Sequence, residues 1–265
     1  MELAHSVSDR ERLAADLDAV LSAQQRLSHE ATQALSDLEH LHTLLLAMVS
    51  ECKNTTLVAA QESIVWDESP YYGKAEDWTW LFWDRNHPFL PLFEQLDLSS
   101  VLELACGHGR HSEALLNAYP DAVQELHLMD ILESNIEFCK NRFREKDKVK
   151  FHVNSGSSFD NIESESLTSI FCYDAMVHFH REVVESYLFS ATKVLRKDGR
   201  ALFHHSNYTD DPDSVFGANP HARAFMSQHL IQKYANNAGL VIVEQHVIDW
   251  GTSKNLDCIT LFEKQ

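Results

Sequence analysis

VLELACGHGR, residues Val101 to Arg110, passes from an apolar run to a glycine turn within ten residues. Val101-Leu102-Glu103-Leu104-Ala105 has the near-continuous hydrophobicity of a strand covered on both faces. Gly107-His108-Gly109 breaks it, and the spacing predicts a helix from Arg110 to Ala118. Strand, glycine turn and helix together form a cradle: glycine lets backbone approach a ligand, and the helix start offers free amides. About 20 residues further on, Leu126-His127-Leu128-Met129 ends in Asp130, an acid placed to accept both hydroxyls of a ribose. The turn lacks the third glycine of a dinucleotide fingerprint, which argues against NAD or FAD. Glu103 inside the first strand suits a cofactor with a cationic amino group rather than a pyrophosphate.

Working outward, the downstream segments alternate helix and strand. A helix is expected over Ser134–Arg144, offering Ile136, Phe138, Cys139 and Phe143 to the core, then a strand over Val149–Val153. A buried strand follows over Leu167–Tyr173. A helix over Glu182–Arg196 is expected to stop at Lys197-Asp198-Gly199. Ala201–His205 reads as a strand, Ala222–Ala238 as a helix ended by Gly239, and Leu240–Ile248 and Leu256–Phe262 as final strands.

Residues 1–69 contain neither glycine nor proline. Seam positions there step by four and three: Leu13, Leu17, Val20, Gln24, Leu27, Ala31, Ala34, Leu38, Leu41, Leu45, Met48 and Cys52, apolar but for one polar break at Gln24. A helix of roughly 40 residues would be about 60 Å long and could not bury that stripe alone. Residues 1–62 are therefore expected to be a coiled-coil arm that forms a homo-oligomer or docks a partner protein; a helical hairpin packed on the remainder is the competing reading. Residues 63–98 form an aromatic bridge, with Trp66, Tyr71, Tyr72, Trp78, Trp80, Phe82, Trp83 and Phe89. It reads either as packing on the sheet edge or as a lid over bound ligands.

The net charge of −18 disfavours nucleic acid, whose backbone requires cations. Five cysteines without a C-x-x-C pair suggest reduced thiols and a cytoplasmic home. The polar, acidic N-terminus does not read as a signal peptide, and no apolar run is long enough to be a transmembrane segment.

The pattern from Val101 to Gly109, with Asp130 behind it, resembles motif I of class I S-adenosyl-L-methionine (SAM)-dependent methyltransferases. The resemblance implies an α/β fold: a Rossmann-like sheet of seven strands, the last antiparallel, with helices on both faces, over residues 99–265. It implies SAM as cofactor and S-adenosyl-L-homocysteine as product. On it, Glu103, Ala105, Gly107, Gly109, Asp130, Ile131, Ser155, Gly156, Ser157 and Tyr173 are expected to hold the cofactor.

Asp174-Ala175-Met176-Val177-His178 resembles motif IV. His178 is the expected general base and Asp174 its catalytic neighbour, while Tyr72, Trp83, His87 and His205 are the expected substrate-binding residues. A divalent metal such as Mg on Asp174 with Asp210 or Asp211 is not favoured, because the spacing is no recognised metal signature.

The phrases from Tyr173 onward, NPHARAFMS and VIDWG among them, look like bacterial methyltransferases that act on sugars of polysaccharides and glycans. That resemblance implies O-methylation of a saccharide hydroxyl, and some members that terminate glycans are joined to coiled coils. The alternatives are a small-molecule or natural-product methyltransferase, or a non-catalytic SAM-binding scaffold.

Overall fold

The computed structural model describes residues 17, 20–38, 40–41, 54–213 and 217–265. The chain divides into two compact units, Met1–Met48 and Val49–Gln265. In the first, residues 20–38 form helix α1. Val20, Leu21, Leu27, Leu35 and Leu38 of this helix, with Leu17 and Leu41 beyond its ends, are 47–66% exposed. Seam positions 13, 45, 48 and 52 lie outside the described residues, and a coiled coil is not shown.

The second unit begins with α2 (Thr55–Ser63), α3 (Tyr71–Ala75), α4 (Thr79–Phe82) and α5 (Phe89–Phe93). Then come β1 (Ser100–Leu104), α6 (Arg110–Ala118), β2 (Glu125–Asp130), α7 (Glu133–Arg142), β3 (Val149–Val153), β4 (Leu167–Cys172), α8 (Arg181–Val194) and β5 (Leu195–Ser206). The chain ends with α9 (Gln228–Ala238), β6 (Leu240–Trp250) and β7 (Ser253–Lys264). The seven strands form one mixed sheet in the order β3-β2-β1-β4-β5-β7-β6. Pairing is parallel from β3 through β5, and β7 runs antiparallel to both β5 and β6. The strand order reverses between β1 and β4, where open α/β sheets leave a crevice for ligands.

Alternating residues of β1 feed two cores. Leu102 and Leu104 pack with Val58 and Ala59 of α2, Val184 and Leu188 of α8, and Ile231 of α9. Val101 packs with Phe89, Leu92 and Phe93 of α5, Leu115 of α6 and Ile136 of α7. The arm expected over residues 1–62 therefore ends earlier, because α2 buries an apolar face in the core of the second unit.

Several expected boundaries move. Phe138 is 44% exposed rather than in the core, its ring stacked on His108. Lys197-Asp198-Gly199 does not interrupt the chain between helix and strand but lies inside β5, with a register irregularity opposite Leu167 and Ser169. The helix expected from Ala222 begins at Gln228, capped by the Ser227 hydroxyl. Ahead of it, His221 and Ala222 have φ of 52° and 53°, a left-handed conformation that a helix cannot contain. The aromatic bridge divides its work: Phe82, Phe89 and Phe93 are core, whereas Trp78 and Trp80 are exposed.

Candidate functional site

After β1 the chain reverses at Ala105, Cys106 and Gly107. Gly107 has φ of 53° and no space for a side chain: a Cβ there would lie 2.7 Å from the Tyr72 ring. The turn needs glycine on both counts. Asp130, at the end of β2, reaches back to it. Its carboxylate accepts the Gly107 N–H at 2.9 Å, the Leu132 N–H at 2.9 Å and the Asn135 amide at 3.1 Å. Burial raises the Asp130 pKa, and these donors oppose the rise. Glu103 is buried beneath the turn and accepts the Ser112 hydroxyl. Burial pushes its pKa up to about 7, against Ser112 and Arg110.

Over these groups opens a cleft, continuous with solvent, at the β1/β4 reversal. One wall comes from the segment before the sheet: Ala59, Glu62, Trp66, Tyr71 and Tyr72. Tyr72 stacks on His108 at 4.5 Å and accepts a hydrogen bond from Asn135 at 2.9 Å. Tyr71 donates to Asp174, whose carboxylate also receives Arg110 at 2.8 Å. The same guanidinium donates to the Ala75 carbonyl at 2.8 Å, so Arg110 and Asp174 together fasten α3 over the cleft.

His178 lies in the short 3-10 turn after β4 and faces this cleft. Its Nδ1 is 2.9 Å from the Ala222 carbonyl. A carbonyl only accepts, so Nδ1 carries the proton and Nε2 keeps its lone pair. Burial pushes the His178 pKa down to about 4; the Ala222 bond opposes this, and nearby Arg223 reinforces it. The imidazole is therefore a neutral, unloaded base at physiological pH.

One buried carboxylate organises this corner. Asp257 on β7 takes the Arg223 guanidinium in two bonds of 2.8 and 2.6 Å, which anchors the left-handed turn carrying the Ala222 carbonyl. Its Oδ2 is also 3.1 Å from His204 Nε2. His204 Nδ1 accepts the Asp174 N–H at 3.1 Å, at a residue whose own φ is 58°.

Of the residues singled out in the sequence, the cleft brings together Glu103, Ala105, Gly107, Asp130, Ile131, Gly156, Tyr173, Asp174, His178 and Tyr72. Others lie elsewhere. Gly109 shapes the turn behind the wall, against Phe143. Ser155 is exposed, and Ser157 turns away to the Thr56 hydroxyl at 3.2 Å. Trp83 is packed on Phe93 and donates to His111 Nδ1 at 3.2 Å. His87 is bonded to the Tyr173 hydroxyl at 3.1 Å. His205 is fully buried between the Ser206 carbonyl and the Thr260 hydroxyl, both at 2.8 Å. Alternation along β5 turns it away from the face on which His204 meets Asp257. Among the described residues no group of His, Cys, Asp and Glu is arranged to hold a metal.

Sequence reading missed Ala59, Glu62 and Arg110. The first two belong to a helix that resembles the arm and is set apart only by long-range packing. Arg110 left a signal: a cation in the first turn opposes the helix dipole and needs an acidic partner, here Asp174.

Residues 101–199 match the profile of a family described as "Methyltransferase domain". No curated protein matches the chain in sequence. Among solved structures, the chain is similar to a complex of the Haloferax volcanii Trm112 methyltransferase activator with a putative methyltransferase. The TM-score is 0.56 at 14% identity, over 75% of this chain and 96% of that one. It is similar to the Streptomyces coelicolor geranyl diphosphate C-methyltransferase, solved with Mg2+, geranyl diphosphate and S-adenosyl-L-homocysteine. There the TM-score is 0.54 at 12% identity, over 66% and 77% of the two chains. It is also similar to the cyclase SpnF, with a TM-score of 0.53 at 12% identity over 72% and 81%.

SAM is the cofactor of this fold, and the cleft fits it. Glu103 would offer a carboxylate to the cofactor's ammonium and Asp130 one to its ribose diol, and Gly107 and Gly156 are positions where a Cβ would fill the cradle. Residues 101–199 are similar to a methyltransferase domain, and the seven-stranded sheet around them shares the fold of the solved methyltransferases named above.

Proposed function

We propose that the chain transfers the methyl group of SAM to a hydroxyl of a neutral small acceptor, a saccharide, with His178 as general base. The observation that carries this reading is the His178 tautomer: Nδ1–H is committed to the Ala222 carbonyl, and the Nε2 lone pair is left for the cleft. The cofactor supplies an electrophilic methyl on a sulfonium. His178 Nε2 takes the proton of the acceptor hydroxyl as its oxygen gains the methyl. The positive charge leaving the sulfonium thus reappears on the imidazole, where Asp174 and Asp257 favour it. Asp174 is placed as a positioning group, since Arg110 and Tyr71 already occupy its carboxylate. Trp66, its ring 4.9 Å from that of His178, and Tyr71 offer aromatic faces to a sugar.

The charge of the wall supports a neutral acceptor. Among the described residues it carries Glu62, Glu76, Glu103, Asp130 and Asp174, against the single cation Arg110, which Asp174 already pairs. A diphosphate such as the one in the Streptomyces coelicolor structure would meet carboxylates with no free cation to receive it. The testing experiment is a screen of mono- and oligosaccharides for methyl transfer from labelled SAM. Labelled product from a sugar supports the reading. Turnover confined to non-sugar alcohols removes the saccharide, and no turnover with any acceptor removes the base.

Glu103 gives this site a pH dependence. A raised carboxyl is ionised only above its pKa of about 7, and the ionised form is the one that attracts the cofactor's ammonium. SAM affinity is expected to fall as pH is lowered through 7, by up to about tenfold per unit below it. Calorimetric titration at pH 6 and pH 8 checks this, and Glu103→Gln abolishes the difference.

The first unit is proposed to bring copies of the chain together. Of these seven exposed apolar side chains five, Leu17, Val20, Leu27, Leu38 and Leu41, fall on the heptad seam, which a second helix with the same spacing would complement. Deleting residues 1–48 is expected to lower the mass measured by light scattering to that of fewer chains. An unchanged chain count excludes the arm as the assembly element. The buried free thiols of Cys106, Cys139, Cys172 and Cys258 accord with the proposed cytoplasmic location.

A further inference from the structure

His111 is the second residue of α6 and is 2% exposed. The Trp83 indole N–H, which can only donate, lies 3.2 Å from its Nδ1. Nδ1 is therefore the acceptor and Nε2 must carry the ring proton. Phe82 and Tyr173, each with ring centroids 5.5 Å away, hold the imidazole in that orientation. Of the residues with a buried side-chain polar atom that lacks a partner among the described residues, His111, through its Nε2, is the one that lines the cleft. A buried donor without an acceptor is costly, and folded proteins tolerate few unless a ligand satisfies them.

The position of this donor indicates the kind of ligand. His111 is adjacent to Ser112, which bonds Glu103, and to Arg110, whose guanidinium also lines the cleft. A carboxylate and an N–H donor thus share one wall. An amino acid carries an ammonium and a carboxylate on a single carbon, so it fits such a pair. The α6 amides add a favourable potential for an anion. We propose that His111 Nε2–H receives the carboxylate of the cofactor's amino-acid end, with Glu103 taking the ammonium and Trp83 fixing the His111 tautomer. This rests on SAM being the cofactor. Burial and Arg110 hold the His111 pKa well below its ordinary value, so it acts as a neutral donor. The site therefore reads the whole zwitterion rather than the ammonium alone.

The test uses two probes: SAM and decarboxylated SAM, which keeps the amine and lacks the carboxylate. Calorimetry on the full chain is expected to show SAM binding about 10- to 100-fold tighter than the decarboxylated probe. His111→Phe should bring SAM down to the affinity of the decarboxylated probe and leave the latter unchanged. Trp83→Phe, which frees the tautomer and keeps the ring, should reduce the preference in part. Nitrogen-15 spectra of the ligand-free protein should show His111 as the Nε2–H form.

A preference that survives in folded His111→Phe overturns the assignment, as does equal binding of the two probes by the wild type. Should His111→Phe fail to fold, an undiminished preference in Trp83→Phe, or an Nδ1–H spectrum, overturns it equally. A wild type that binds neither probe overturns the cofactor assignment itself, a failure distinct from the others.

Discussion

Replacing His178 with alanine is expected to slow methyl transfer by about 10²- to 10⁴-fold while SAM still binds, the usual worth of a positioned general base. The side chain contacts none of the groups proposed to hold the donor, so calorimetry should return a SAM affinity close to that of the wild type. The wild-type pH profile carries a second signature. Protonation disables the base, and burial places that event near pH 4, so His178 should leave the rate flat through the neutral range. An acidic limb near pH 7 would instead follow Glu103 and appear in the affinity for SAM. Near-normal turnover in the alanine variant would remove His178 from the chemistry. The neutral acceptor pocket would then have to rely on positioning alone.

Asp130→Ala should act on binding and on the turn together. Two hydrogen bonds from a ribose diol to a buried carboxylate are worth about 1.5–3 kcal/mol each, which predicts at least a 100-fold loss of SAM affinity. The same change leaves the Gly107 and Leu132 N–H groups without their acceptor, so the glycine turn itself loosens. Asp130→Asn should be milder for the turn, because its amide oxygen still accepts, yet still severe for the ribose. Calorimetry on both variants, with circular dichroism to confirm folding, checks this. An unchanged affinity in either variant would place the ribose elsewhere.

The part of the cleft proposed to hold the donor was legible because it is local. Glu103, Gly107 and Asp130 lie within 28 residues, and their places follow from strand ends and a turn with positive φ. The expected helix Arg110–Ala118 and strand Val149–Val153 have the bounds observed. His178 was legible because it stands one turn beyond a buried strand. The aromatic bridge was not, since composition alone cannot sort Trp66 and Tyr71, on the cleft, from Trp83 and His87, bound to His111 and Tyr173. His205 was misread because neighbours on a strand face opposite ways, and only the register with β7 shows which way. The start of α9 was placed too early because Pro220-His221-Ala222 carries no composition that announces two left-handed residues. Glu62, a cleft carboxyl that burial pushes up to about 7, sits in a helix that the arm pattern absorbed.

Asp257 has a consequence for the order in which the protein is built. β1 pairs with β2 and β2 with β3, so Glu103, Gly107 and Asp130, three of the groups proposed to hold the donor, belong to chain made before residue 154. β6 has no partner until β7 exists, and β7 must then settle between β5 and β6. With it comes the carboxylate that fixes Arg223 and His204, and through them His178 and Asp174. In chain order, therefore, the groups proposed for the donor come first, and the carboxylate that fixes the proposed base comes with the last hairpin.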